Sequence, residues 1–288
     1  MSNPVFDRID KDVSRGGYAG FGNRPTTDQR PASYGQYGAY QDQLSAQQME
    51  DLYNAPSATA AASRKLTVDD VVMKALGLFA IVLVMAGVTM FALAPMFGPG
   101  IVLGAIVATL VLGIVIAMKK TISVPLIVLY AGLEGVLVGA VTAVYGNAFG
   151  PGVVSTAIIA TLSVFVAMFA GWKTGFIKVT SKSRRIFGMA ILGYLVFALA
   201  NLVAAWAFGA NSGWGFFGFG SAMSIGISVL AVGLASYSLA MDFDSIDRAV
   251  AAQVPEKYSW LLAHGLIVTL VWLYLEILRL VAQLQGRD

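Results

Sequence analysis

Residues 71–94 read VVMKALGLFAIVLVMAGVTMFALA, with Lys74 as their one charged residue. About 20 apolar helical residues cross the hydrocarbon core of a bilayer, so this run predicts a transmembrane helix. Lys74 is close enough to the end to snorkel to the headgroups. Just upstream, Thr67 and Asp70 have capping-box spacing, and Leu66 and Val71 are placed as a hydrophobic staple, which marks where the helix begins.

Six more runs of this kind follow, at 100–118, 121–145, 152–172, 186–209, 219–241 and 258–284. The breaks are Pro95 and Pro99, Lys119 and Lys120, Gly150-Pro151-Gly152, a basic run from Lys173 to Arg185, a Gly-rich loop, and an acidic segment from Asp242. The expected fold class is therefore all-α, a polytopic membrane protein with seven transmembrane helices. Composition agrees. Apolar residues make up 57% of the 288, charged residues 12%, and mean hydropathy is +0.73. A soluble domain carries about 25% charge, so a water-soluble globular enzyme is excluded.

Residues 1–66 hold balanced charge, and the net charge of +3 arises downstream, too thinly spread for a nucleic-acid footprint. Residues 16–40, GGYAGFGNRPTTDQRPASYGQYGAY, lack the aliphatic surface to offset ordering entropy. The expectation is a disordered, solvated tail over 1–66, with weak Tyr–Arg self-association as the alternative. No apolar stretch follows the N-terminal charges, so no signal peptide is expected. Ser45 and Gln48, with Leu44 and Met49 as staple, predict a short helix over 45–53 whose Leu52 and Tyr53 can lie on the membrane or on the bundle.

Loops 95–99, 146–151 and 210–218 carry no charge, while the alternate loops hold Lys119, Lys120, Lys173, Lys178, Lys182, Arg184, Arg185, Arg248 and Lys257. The positive-inside rule then places the N-terminus in the cytoplasm and, with seven spans, the C-terminus outside. The stretch Phe97-Gly98-Pro99-Gly100 recurs as Phe149-Gly150-Pro151-Gly152 on another outer turn. Either one tight hairpin arose twice or a helical hairpin was duplicated.

Cys is absent, which removes disulfides, thiolate nucleophiles and zinc–thiolate sites. Neither HExxH nor a Walker loop occurs, and Ser221 near His264 lacks the surroundings of an intramembrane serine protease, so no enzyme is expected. The chemistry rests on ionisable groups within spans, where a charge costs about 2.5–3.5 kcal/mol on insertion scales. Glu134 is flanked by the small-residue stripe Ala131, Gly135, Gly139 and Ala143, which admits a close neighbour. It is either a neutral acid bonded to backbone or a proton or cation site. Glu276 and Arg279 share a helical face, so a local ion pair competes with a pairing of Glu276 to an acid on another helix. Such a carboxyl pair would share a proton and could supply oxygen ligands for Ca²⁺. Asp242 ends the sixth run, with Asp244 and Asp247 beyond it. His264 and Asn201 read as structural polar groups.

Asp242-Phe243-Asp244-Ser245-Ile246, with Leu273-Tyr274-Leu275-Glu276-Ile277-Leu278-Arg279-Leu280, resembles the Bax inhibitor-1 (transmembrane Bax inhibitor motif, YccA-like) family. Leu133-Glu134-Gly135-Val136-Leu137-Val138-Gly139 adds to the resemblance, and Leu66-Thr67-Val68-Asp69-Asp70-Val71-Val72 is similar to a bacterial subgroup of it. The resemblance covers residues 66–288. It implies six helices around a central seventh and a pH-sensitive Ca²⁺ leak in the cell membrane. An acid ending the sixth helix and an acid in the seventh act as the gate, by position Asp242 and Glu276. Asp244 and Arg279 stand beside them. The resemblance also implies the alternative of a non-conducting modulator or adaptor acting on a membrane protease or another membrane partner, and it requires no cofactor. The seventh-helix acid of the family is usually Asp, and here it is Glu276. From Tyr258, Glu276 lies about 27 Å along a helix, which strands Asp242 near the other face unless the sixth helix ends deep in the bundle or residues 258–266 run outside the core. Glu134 is the other available partner.

Overall fold

The computed structural model describes residues 64–93, 99–207 and 222–285. They form α1 (Val68–Val88), α2 (Pro99–Met118), α3 (Val124–Phe149), α4 (Pro151–Lys173), α5 (Ser181–Ala207), α6 (Ala222–Ala251) and α7 (Tyr258–Gln285). Among the described residues there is no strand, only an isolated bridge between Lys65 and Pro255. Six helices are long and apolar enough to cross a membrane, and α2 adds a shorter apolar stretch, Val102–Met118. Residues 1–63 of the tail, with the helix expected over 45–53, lie outside the described residues, as do Ser221 and the loop at 210–218.

Local chemistry sets the boundaries. Thr67 and Asp70 form the expected capping box, with the Asp70 amide 3.2 Å from the Thr67 hydroxyl and the Thr67 amide 3.0 Å from the Asp70 carboxylate. Pro99 and Pro151 open α2 and α4, where a missing N–H costs nothing. Gly150 joins α3 to α4 at φ 87°, a conformation that favours glycine. At its far end α1 passes into a π-helical turn, Thr89–Leu93.

The sixth helix departs from expectation. It does not stop at 241 but runs on to Ala251, so the acidic segment is its last third. Charge alone does not end a helix. Here Asp242, Ser245, Ile246 and Ala249 turn inward, while Asp244 pairs with Arg248 one turn on, at 3.2 Å.

α7 is the centre. Of its most apolar window 67% is buried, the highest share among the six spanning candidates, and it packs against α1, α3, α4 and α6. Its Trp272 stacks on Tyr194 of α5, whereas α2 lies as an outer layer on α3. Where α1 crosses α3 the backbones nearly touch: a Cβ on Gly135 would stand 2.6 Å from the Val82 carbonyl oxygen, and one on Gly139 would meet that of Ala86. The small-residue stripe thus seats α1. Outward-facing Leu76, Val84, Ile159, Val196 and Leu230 are more than half exposed, a surface suited to lipid rather than water. The protein is a multi-pass membrane protein.

Candidate functional site

The buried polar groups are strung along α7 at three heights. Nearest the basic end, where α7 begins, His264 is 3% exposed and meets the Tyr130 ring edge-on, centroids 4.5 Å apart. The Tyr130 hydroxyl is also within hydrogen-bonding reach of Glu134 one turn along α3. Glu134 is buried beside the close α1–α3 contact.

Higher up, Asp242 of α6 is 2% exposed and within hydrogen-bonding reach of Thr269 on α7. The Thr269 hydroxyl reaches the Gly265 carbonyl at 3.2 Å, and among the described residues Asp242 Oδ2 has no hydrogen-bond partner. Asp244 lies outside this contact and is held by Arg184 at the foot of α5 and by Arg248. Asp247 stands at the bundle's edge.

Toward the other end, Glu276 and Arg279 form the local ion pair, 5% and 8% exposed. The Tyr194 hydroxyl donates to Glu276 Oε1, as does the Trp272 indole at 3.1 Å. Arg279 Nε donates to Ser228 on α6 at 3.1 Å, and Ser228 donates to Gln283 at 2.7 Å. One network therefore clamps α5, α6 and α7 together. Beside it, Thr142 of α3 bonds the Tyr274 hydroxyl at 2.9 Å.

The structure does not join the acids. Thr269 and Glu276 are seven residues apart, about 10 Å along the helix, and no hydrogen bond or ion pair links Asp242, Glu134 and Glu276. Asp242 is reached only because α6 continues past it, and that continuation fixes it at the level of Thr269. Among the described residues no group of three or more His, Cys, Asp or Glu is placed to hold a metal. Sequence reasoning found the acids but missed Tyr194, Ser228 and Gln283, because their partners lie on other helices. Trp272, one turn before Glu276, was the one local signal.

A seven-helix bundle organised around a buried Glu–Arg pair on its last helix meets its family here. A family model described as Bax inhibitor 1 like matches residues 3–286. The chain belongs to the Bax inhibitor 1-like family. No curated protein matches it. The match begins at residue 3, so it takes in the tail that the four motifs had left out.

In this Bax inhibitor 1-like bundle, two clefts open among the helices. One, of about 220 Å³, lies between α1, α3, α4 and α7 beside Thr142 and Tyr274. The other, of about 420 Å³, lies between α1, α4, α6 and α7, with Asp247 as its one charged residue. Apart from these groups and Thr161 in the first, both are apolar, and neither touches Glu134, Asp242 or Glu276.

Proposed function

We propose that the protein is a proton-sensitive cation leak of the cell membrane, with Ca²⁺ as a permeant ion, and that the bundle described above is its shut state. The supporting observation is the unpartnered Asp242 Oδ2 buried against the central helix. An ionisable group at such depth is a functional site by default. Thr269 is the polar group that meets Asp242 there, and its hydroxyl also reaches the Gly265 carbonyl, so the carboxyl is sparsely supported at that depth. A charge on Asp242 is costly at that depth and favours opening of α6 against α7. Breaking the pair of Glu276 with Arg279 would in turn loosen α5. On this reading Asp242 and Glu276 are two switches at different heights rather than one shared carboxyl pair. The protein is a conductor, not an enzyme. Its basic end, with the N-terminus, faces the cytoplasm by the positive-inside rule.

A second reading, a non-conducting modulator of a membrane protease or another membrane partner as in YccA-like proteins, is favoured by a specific observation: Glu276 is satisfied by Arg279, Tyr194 and Trp272, and the described clefts avoid all three acids. Ca²⁺ flux into proteoliposomes separates the two readings. The leak predicts flux that changes between acidic and neutral pH and loses that dependence in Asp242→Asn or Glu276→Gln. Flux no greater than in empty liposomes at every pH would sink the leak and leave the modulator.

A further inference from the structure

At the basic end a cavity of about 470 Å³ opens where α1, α3 and α7 begin. Its walls divide by chemistry. Arg64, Lys74 and Lys257 supply three cations against one acid, Glu256, and Val124 and Trp260 contribute an apolar side. Glu256 lies 3.0 Å from Lys74 and 3.5 Å from Arg64, and Lys257 stands over the Tyr258 ring at 5.8 Å. Asp70 in turn lies 3.1 Å from Arg64, so the cavity keeps an excess of one positive charge, with Lys257 on its exposed rim, at the end of helices that cross the membrane. The α3 terminus adds to it. Ser123 makes no side-chain capping bond there, whereas the start of α1 is answered by its own Asp70.

We propose that this cavity binds the phosphate headgroup of an anionic phospholipid. Basic pockets between transmembrane helices suit such headgroups. Trp260 marks the level at which aromatic rings sit in an interface, and Lys74 Nζ lies 5.6 Å from its ring. The phosphate meets Arg64 and Lys257, and the acyl chains follow the Trp260 wall into the bilayer. A soluble phosphate ester shares the charge but has no chains to use that wall.

The test is native mass spectrometry of the full chain released from nanodiscs of equal phosphatidylcholine and phosphatidylglycerol. We expect phosphatidylglycerol to be retained in preference, and its retention to fall several-fold in Arg64→Gln/Lys257→Gln while Lys182→Gln, on another basic loop, keeps it. If the double variant misfolds, the exposed Lys257→Glu alone serves, with the same loss expected. Equal retention of the two lipids, or wild-type retention in the Lys257 variants, would overturn the site. Displacement of phosphatidylglycerol by millimolar inorganic phosphate would overturn the lipid as occupant, since the chains should hold it in place.

Discussion

Glu276 and Arg279 illustrate why buried charges come in sets. Each is nearly sealed from solvent, and the carboxylate and guanidinium share Tyr194 between them. Removing one partner leaves the other uncompensated, at a cost of about 3–5 kcal/mol. Arg279→Ala should therefore destabilise the protein more than the double change Glu276→Gln/Arg279→Met, which leaves no lone charge. Unfolding in detergent reads both, and equal or additive losses would show the pair to be uncoupled. Gly139 is the second sensitive position. The Ala86 carbonyl occupies the space a Cβ needs, so Gly139→Val forces α1 off α3 and should cost about 1–3 kcal/mol or more. The same assay should show Gly132→Ala, where nothing lies within 4 Å of the added atom, to be near neutral.

Among the elements, α5 is the least embedded spanning helix, with 11% of its window buried. It is held at its foot by Arg184 to Asp244, a turn further by Phe187 stacked on Tyr237 at 3.9 Å, and at mid-height by Tyr194. Asp244→Ala removes the lowest of these ties. The pair is partly exposed, so global stability should fall by only about 1 kcal/mol or less. Hydrogen exchange should quicken through Ser181–Ala207 and leave α3 unchanged. If α5 exchanges at the wild-type rate, the ion pair does not hold it. The elements also show what the sequence reading can reach. The Pro, Gly and capping signals around α1, α2 and α4 act within a turn, so they were legible. The end of α6 was not, because its charged last third is stabilised by burial on α7 and by Arg184, contacts that no local pattern encodes. The candidate site divides likewise. The i, i+3 pair on α7 could be read directly, but Tyr194, 82 residues away, could not.

For the whole molecule, sidedness is the strongest prediction. The chain has no Cys, so single cysteines can be introduced into an otherwise silent background. Lys120→Cys, Lys182→Cys and Lys257→Cys should react with an impermeant reagent from one side, and Asn147→Cys, at the far end of α3, from the other. Labelling of Lys182→Cys and Lys257→Cys from opposite sides would refute an even number of crossings between them.

The short pairing of residues 64–66 with the α6–α7 turn has a mechanical meaning. The Leu66 amide bonds the Val254 carbonyl at 2.8 Å, the Glu256 amide bonds the Arg64 carbonyl at 2.9 Å, and Lys65 reaches Gln253. The chain is thereby stitched to the hinge that connects the helix of Asp242 to the helix of Glu276. A pull applied at Arg64 is felt first at that hinge, before it can reach the first span.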